Sequence, residues 1–192
     1  MCPNFGSNTQ VLYRYDRALL ILSLLMLQSF PKSSNPSPEA ERFAPRVTVA
    51  TLIERDGRFL FVEERIAGKL VINQPAGHLD AEESIVQAAA RETLEETGWT
   101  VQIDALVAID QYEAADRAFL RFAFAATALH HDAERVLDVG IERALWLSRD
   151  ELIARTNDHR SALVLAGVDA YLAGVRVPTS VLRMVNAEGV VI

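Results

Sequence analysis

The sequence predicts a mixed α/β fold of the α+β class, in which helices cover a mixed β-sheet. Three observations support this prediction: a strand hairpin over residues 47–64, a strong helix pattern over residues 80–97, and strands interspersed with helices after it. The chain has 192 residues, of which 50% are apolar. This size suits one domain with a substantial core and a tail.

The charge and cysteine content narrow the function classes. A net charge of −7 argues against general binding to nucleic acid or to an anionic membrane. A polyphosphate substrate would need a cation or a local basic pocket beside it. The single cysteine, Cys2, excludes an internal disulfide and a thiolate zinc site. The composition fits a reducing compartment, and we expect a cytoplasmic protein.

Residues 1–42 differ in composition from the rest of the chain. A run rich in Leu and Ile over residues 18–27 follows Arg14 and Arg17, but it is too short to span a bilayer comfortably. The next segment, PKSSNPSPEAER, has the Pro and Ser content of a flexible linker. We predict a flexible extension over residues 1–42 and a domain over residues 43–192. A membrane-associating or export segment and a helix packed on the domain are the alternatives.

The domain opens with a predicted β-hairpin. Residues 47–54 are apolar and β-branched, Asp56-Gly57 is a tight-turn pair, and residues 58–64 resume strand character. A short strand over residues 70–73 then leads into Gln74-Pro75-Ala76. Proline restricts the backbone at this point, which suits a loop whose carbonyls must face a metal.

A helix follows in the stretch GHLDAEESIVQAAARETLEETGW, residues 77–99. We predict Asp80 as its N-cap, with Glu83 three residues later as in a capping box, and Gly98 as its stop. The residues between are good helix formers.

The last turns of this helix carry clustered carboxylates. At roughly 100° per residue, Glu92, Glu95 and Glu96 fall within an arc of about 100° that overlaps the apolar side of the helix. Like charges at this spacing repel one another, and partial burial adds to the cost. A divalent cation would relieve both effects, and oxygen ligands favour Mg²⁺ or Mn²⁺ over zinc.

The remaining chain alternates between strands and helices. We predict strands at residues 100–109, 118–129 and 144–147, a turn at 113–116, a loop at 130–132, and helices at 149–154 and 161–173. Ser148 with Glu151 forms a capping box for the first of these helices, and Gly174 ends the second.

Arg121 lies in the middle of a predicted strand, where an arginine is unusual. One interpretation is an edge-strand residue whose charge reaches water along its aliphatic stem. The other is a fork that binds phosphate and opens onto the site.

Seven residues in and around the carboxylate helix stand at fixed offsets from one another. These residues are Gly77, Glu83, Arg91, Glu92, Glu95, Glu96 and Gly98. At about 7% per letter, such a match arises by chance at roughly one in a hundred million positions. The pattern is the signature of the Nudix hydrolase family, and the stretch resembles a complete Nudix box. Thr93 departs from it, because the family usually has a bulkier aliphatic residue there, and this puts only local packing in question.

The resemblance extends over residues 43–178. The segments VTVATLIERDGRFLFVEE, NQPAGHLD, FLRFAFA and RSALVLAGVDAYLAGVRVP, in this order, resemble the NudJ-type phosphatases of bacteria, a branch of that family. The resemblance implies a Nudix α/β/α sandwich and a monomeric or weakly associated cytoplasmic enzyme. It also implies Mg²⁺-dependent release of orthophosphate from hydroxymethylpyrimidine pyrophosphate, thiamine pyrophosphate, or nucleoside tri- and diphosphates.

The resemblance implies that residues in and beside the Nudix box bind the metal ion. Glu92 and Glu96 are the expected principal Mg²⁺ ligands, with Glu95 as a third ligand or a water-positioning base. The carbonyl of Ala76 is an expected further ligand, and Mn²⁺ is a possible substitute for Mg²⁺. We expect Arg91 to orient Glu92 through an ion pair.

Other residues are assigned supporting roles. Glu83 is expected to buttress the loop or bind a metal-bound water, and Gly77 and Gly98 to permit backbone turns at either end. Arg121, Gln74 and His78 are candidates for substrate contact, the alternatives being loop hydrogen bonding for Gln74 and an exposed ring for His78. The general base stays open between Glu95 and two later acids, Asp138 and Glu142, which could instead be ordinary surface residues.

Two other functions are weighed against the phosphatase. One is a nucleotide-sanitising or ADP-ribose-type pyrophosphatase that cleaves internally. The other is a catalytically silent Nudix-like binding domain. Such domains typically lose box glutamates, and every one is present here.

Overall fold

The computed structural model describes residues 43–191. The strands are β1 Arg46–Arg55, β2 Arg58–Ile66, β3 Lys69–Asn73, β4 Ala76–His78, β5 Trp99–Glu113, β6 Ala118–His131, β7 Ile141–Ser148 and β8 Val177–Pro178. The helices are α1 Ile85–Thr97, α2 Arg149–Ala154 and α3 Leu163–Leu172, with 3-10 turns at Thr156–Asp158 and Thr179–Val181. The predicted extension over residues 1–42 lies outside the described residues and stays a prediction.

The strands form a mixed sheet, as predicted. Its main order is β3-β2-β1-β6-β5-β8, with β4 paired to β1 and β7 paired to β2. β1 and β6 run parallel, whereas β1 with β2, β2 with β3 and β5 with β6 run antiparallel. The predicted opening hairpin and the strand before Gln74 are both confirmed.

Helices cover both faces of the sheet. On one face, Ala88 and Ala89 of α1 pack with Val49 and Phe124. On the other, Leu152 of α2 and two valines of α3 pack with Leu52, Phe61 and Ala123. Consecutive β6 residues thus alternate between the two cores, as the strand period requires. The predicted α/β/α sandwich is confirmed.

β1 pairs with two different strands along its length, and this pairing determines where the site lies. Glu54 and Arg55 pair with β2 beside the hairpin turn, whereas residues 48–50 pair with β4. The chain therefore brings β4 onto the sheet directly before it enters α1.

The predicted N-cap of the central helix is wrong. Ser84, not Asp80, caps α1: its hydroxyl accepts a hydrogen bond from the Gln87 N–H, and the Gln87 side chain accepts one from the Ser84 N–H. Glu83 instead accepts a hydrogen bond from the Asp80 N–H in the preceding loop. The sequence contains two consecutive capping patterns, Asp80–Glu83 and Ser84–Gln87, and the second one caps the helix.

Several other bounds also differ from prediction. β5 continues through Glu113, and the predicted loop at 130–132 is wrong for His130 and His131, which pair with Thr100 and Trp99 in the β-ladder. The last helix is shorter than predicted, at Leu163–Leu172, whereas α2 and its Ser148–Glu151 capping box are confirmed.

The edge-strand interpretation of Arg121 is wrong, because β6 lies between β1 and β5. Within residues 43–191, no helix has the length and apolar character that a membrane crossing requires.

Candidate active site

The capped helix α1 holds three carboxylates over β4. Gly98 ends the helix with a φ of 71°, as the stop signal predicted, and its N–H donates to the Leu94 carbonyl. Glu92, Glu95 and Glu96 lie in the last two turns, and Glu96 contacts β4 directly. The predicted clustering of these glutamates on a half-buried face is present.

Glu96 is the most deeply buried of the three helix glutamates, with 8% of its surface exposed. Its Oε2 accepts a hydrogen bond of 2.9 Å from the Ala76 N–H. Burial raises the pKa of Glu96 to about 8, and the charges of Glu92 and Glu64 push it in the same direction. The metal-free site therefore favours a proton on this carboxylate near neutral pH.

Glu92 lies against the backbone of Gly77. A Cβ at Gly77 would overlap the Glu92 carboxylate in its present position, so a larger residue there would force that carboxylate to move. The prediction that Gly77 permits a turn is wrong, because Gly77 lies within β4. Burial raises the pKa of Glu92, partly offset by its ion pair with Arg91.

The carbonyl of Ala76 is directed toward the carboxylates by the pairing of β4. Pro75 bonds to β1 through its carbonyl, which accepts from the Thr51 N–H, and Leu79 through its N–H, which donates to Val47. Bonding edges alternate along a strand, so both polar groups of Ala76 face away from β1. Its N–H reaches Glu96, and its carbonyl faces the same side.

Arg91 joins more acids than predicted. Its guanidinium donates to both oxygens of Glu83, at 2.9 and 2.7 Å, and to Glu92 and Glu95, each at 2.9 Å. It also donates to the His78 carbonyl at 3.0 Å. The hydrogen bonds that Arg91 donates to Glu83 are the largest cause of its raised pKa. Arg91 therefore ties the loop before the helix to the carboxylates within it.

The donor set fits a hard divalent cation. Glu92, Glu96 and the Ala76 carbonyl offer oxygen only, and burial raises the pKa of both carboxylates even though Glu92 pairs with Arg91. Among residues 43–191, no three acidic, His or Cys side chains converge closely enough to hold a metal unaided. Mg²⁺ usually takes one or two carboxylates and fills the rest of its shell with water and substrate phosphate. That requirement matches the donors present.

A cavity of about 690 Å³ adjoins the carboxylates. Glu92, Glu96, Ala76 and Gly77 line one part of it, and His78, Arg121, Arg160, Tyr112 and Phe119 line others. The cavity therefore combines carboxylates, arginines and aromatic rings.

Arg121 is the buried cation of this cavity. It is 6% exposed, and its Nη2 donates to Gln74 Oε1 at 2.8 Å. Gln74 in turn donates to the Val164 carbonyl at 2.7 Å, so both ends of its amide are engaged within the protein. Burial lowers the pKa of Arg121 to about 10. Gln74 therefore forms hydrogen bonds within the protein, as in the alternative to substrate contact. Through its Oε1 it holds the Arg121 side chain in place.

The later candidate bases lie in different surroundings. The Asp138 N–H donates to the Glu95 carbonyl at 3.1 Å, and the Asp138 charge contributes to the raised pKa of Glu92. Glu142 forms an ion pair with Arg65 at 2.7 Å. Of these two candidate bases, Asp138 is therefore the one that contacts the carboxylate helix.

Sequence reasoning missed Arg160, which lines the cavity and contacts Glu64. The two residues are separated by 96 positions, so no local motif connects them. Sequence reasoning also assigned no site role to Tyr112 and Phe119, two aromatic residues of the cavity wall.

The comparisons with known proteins identify the family of this chain. A model of the NUDIX domain family matches residues 42–166. The phosphatase NudJ of Escherichia coli strain K12 is 41% identical over 145 residues, which cover 75% of this chain and 94% of that protein. The chain belongs to the Nudix hydrolase family.

Solved Nudix structures show the same fold. A Nudix hydrolase from Nitrosomonas europaea is 43% identical, with a TM-score of 0.72 over 73% of this chain and 97% of that chain. A UDP-X diphosphatase has a TM-score of 0.59 at 17% identity and covers 85% of this chain and 83% of that one. The second likeness concerns the fold alone.

As a Nudix hydrolase, the chain is an enzyme with NudJ-like phosphatase or pyrophosphatase activity on small phosphorylated substrates. Members of the Nudix family generally use divalent metal ions.

Proposed function

We propose that this Nudix hydrolase releases orthophosphate from the terminal phosphoanhydride of a small pyrophosphate, with Mg²⁺ as cofactor. The proposed substrates are hydroxymethylpyrimidine pyrophosphate, thiamine pyrophosphate, and nucleoside tri- and diphosphates. The proposal rests on one observation. Glu92 and Glu96 lie beside Ala76 at the wall of a cavity that Arg121 also lines. The name phosphatase, borne by a relative of 41% identity, supports terminal release.

In this proposal Glu92, Glu96 and the Ala76 carbonyl hold the cation. When bound, Mg²⁺ supplies charge neutralisation for the phosphates and orients a water, and Mn²⁺ could substitute for it. Arg91 fixes the rotamers of Glu92 and Glu95, while Glu83 anchors Arg91. Glu95, with 30% of its side chain exposed, can act as a third ligand or as the base.

The hydrolytic step balances with one water. The water oxygen forms a bond to the terminal phosphorus, and the bond from that phosphorus to the bridging oxygen breaks. The electron pair stays on the bridging oxygen, which leaves as part of the shorter phosphate ester. The proton passes to Glu95 and then to solvent, and Asp138 beside the same helix is the alternative acceptor. Arg121 donates hydrogen bonds to the phosphate under attack.

Two other functions predict different products. A nucleotide-sanitising or ADP-ribose-type enzyme would cleave an internal phosphoanhydride and release pyrophosphate or two monophosphates. A silent binding domain would release nothing. The full set of box glutamates argues against the silent domain.

The test is a substrate panel with Mg²⁺, assayed for orthophosphate with and without added inorganic pyrophosphatase. We expect orthophosphate without the added enzyme, from thiamine pyrophosphate and from nucleoside di- or triphosphates. Orthophosphate that requires the added pyrophosphatase would instead support internal cleavage. A Glu95→Gln sample serves as the blank, and we expect its kcat to fall by about 10² or more.

We also propose that the enzyme is cytoplasmic and monomeric or weakly self-associating, and that nucleic acid is not its partner. The net charge of −7 supports the last point. Light scattering at micromolar concentration tests the oligomeric state.

A further inference from the structure

A second arginine, Arg160, faces the same cavity as Arg121. Both residues line it, and the Arg160 charge is close enough to help lower the pKa of Arg121. Two positive side chains held near each other repel unless an anion lies between them. The carboxylates Glu92 and Glu96 line the same cavity, so a phosphate held by the arginines would lie beside the proposed cation site.

Arg160 is fixed in place from two sides. Its main-chain N–H donates to the Ile72 carbonyl at 2.9 Å, and its Nη1 donates to Glu64 Oε2. Glu64 is 8% exposed, so this ion pair is anchored in the core, while 46% of the Arg160 side chain stays exposed. The guanidinium therefore keeps donors free to bind a ligand in the cavity.

Arg121 likewise has donors to spare. A guanidinium carries five N–H donors, and the Arg121 hydrogen bond that the structure defines goes from Nη2 to Gln74. Arg121 is 6% exposed, and the charges of Asp110 and Glu96 offset only part of the cost of burying it, so its remaining donors are available to a ligand.

We propose that Arg121 and Arg160 form a two-arginine clamp that selects substrates ending in a free phosphate, with Glu64 as the positioning residue for Arg160. The inference rests on the proposed function and deepens it. A terminal phosphate carries close to two charges and three oxygens outside the bridge, enough to accept from both guanidinium forks. An esterified phosphate carries one charge and two such oxygens, so it fills one fork and leaves the other unpaired.

The test compares two ligands that share the adenosine diphosphate group. ADP ends in a free phosphate, and ADP-ribose has the same phosphate capped. The readout is the ratio of the inhibition constant of ADP-ribose to the KM of ADP, both measured by orthophosphate release with Mg²⁺. The inhibition constant is defined whether or not ADP-ribose is cleaved.

Arg160→Ala is expected to raise the KM of ADP at least tenfold and to lower the ratio at least fivefold. Glu64→Gln keeps the side-chain shape but weakens the ion pair, so we expect the same direction and a smaller change. A merely structural role for Glu64 would alter stability and leave the ratio unchanged. Arg149→Ala is the matched control, because Arg149 pairs with Asp169 outside the cavity.

An unchanged ratio in Arg160→Ala, or a KM for ADP within twofold of the wild type, would overturn the clamp. Should Arg160→Ala fail to fold, Arg160→Lys keeps the charge and removes the fork, and the same ratio decides. Failure of the proposed function is distinct, because the wild-type enzyme would then release no orthophosphate from ADP directly.

Discussion

At the scale of single residues, Glu96 connects burial to pH dependence. Its folded pKa of about 8 lies above the usual value of 4.5, so the folded protein holds a proton that the unfolded chain has lost. Stability that is fully present below about pH 4.5 is therefore lost as pH rises toward 8 in the metal-free protein. A bound cation would remove this cost by taking the place of the proton.

We predict that Glu96→Gln raises the melting temperature of the metal-free protein at pH 8 by several degrees, with a smaller gain at pH 5. The glutamine side chain has nearly the volume of glutamate but does not ionise, so the pH-dependent cost is absent. Thermal unfolding in EDTA at both pH values measures it, with exposed Glu134→Gln as control. An equal gain at the two pH values would show that Glu96 does not titrate as described.

The hydrogen bonds of Thr93 explain why this residue departs from the family pattern. Thr93 and Thr51 are fully buried, and their hydroxyls share a hydrogen bond of 2.8 Å, while Thr93 donates to the Ala89 carbonyl at 2.8 Å. A polar contact between α1 and β1 thus replaces the aliphatic contact that the family pattern predicts.

We predict that Thr93→Val costs about 1–2 kcal/mol, because it leaves the buried Thr51 hydroxyl without this partner. Thr51→Val/Thr93→Val should cost less than the sum of the two single changes. Urea unfolding of all four proteins gives the coupling. Additive costs would mean that the hydroxyl pair contributes nothing specific.

At the scale of elements, the site depends on the close contact of α1 with β4. Gly77 is the point of contact, since any Cβ there would meet the Glu92 carboxylate. The register of β4 on β1 brings Ala76 under Glu96 at the same time. A change at Gly77 should therefore act on the metal ligands rather than on the fold.

Gly77→Ala is expected to weaken Mg²⁺ affinity at least tenfold and to lower kcat by about 10². Gly57→Ala is the matched control: Gly57 has a φ of 75° in the hairpin turn, so the change strains the backbone away from the carboxylates. We expect it to lower stability and leave Mg²⁺ affinity unchanged. Equal loss of affinity in both variants would contradict the contact.

The same elements show how far sequence reasoning reaches. The spacing of the box predicts α1, its C-terminal stop and its carboxylate face, because these are local properties of a 3.6-residue period. The cap at Ser84 was missed because Asp80 presents the same pattern four residues earlier. The central place of Arg121 depends on strand order, and the Arg160–Glu64 pair depends on how the turn at Arg160 docks on the sheet. Local periodicity specifies neither.

At the scale of the whole molecule, the proposed site residues all lie within the residues that match the family domain. The NUDIX match begins at residue 42, and β1 begins at Arg46. The sandwich of residues 43–191 contains each of the site residues proposed above. The domain boundary near residue 43 remains our proposal.

Deletion of residues 1–42 is therefore expected to leave kcat and KM within about twofold of the full chain. Steady-state kinetics of both forms, with circular dichroism to check folding, measures it. An inactive or insoluble truncated chain would show that the extension belongs to the fold.

The central claim, that Glu92 and Glu96 hold the cation that catalysis requires, is tested most directly by metal binding. Electron paramagnetic resonance of Mn²⁺ measures free cation, with Mg²⁺ as competitor, for the wild type, Glu92→Gln and Glu96→Gln. We predict Mn²⁺ binding that Mg²⁺ displaces, at least tenfold weaker affinity in each variant, and a kcat reduced by about 10³ or more. Wild-type affinity and turnover in either variant would contradict it.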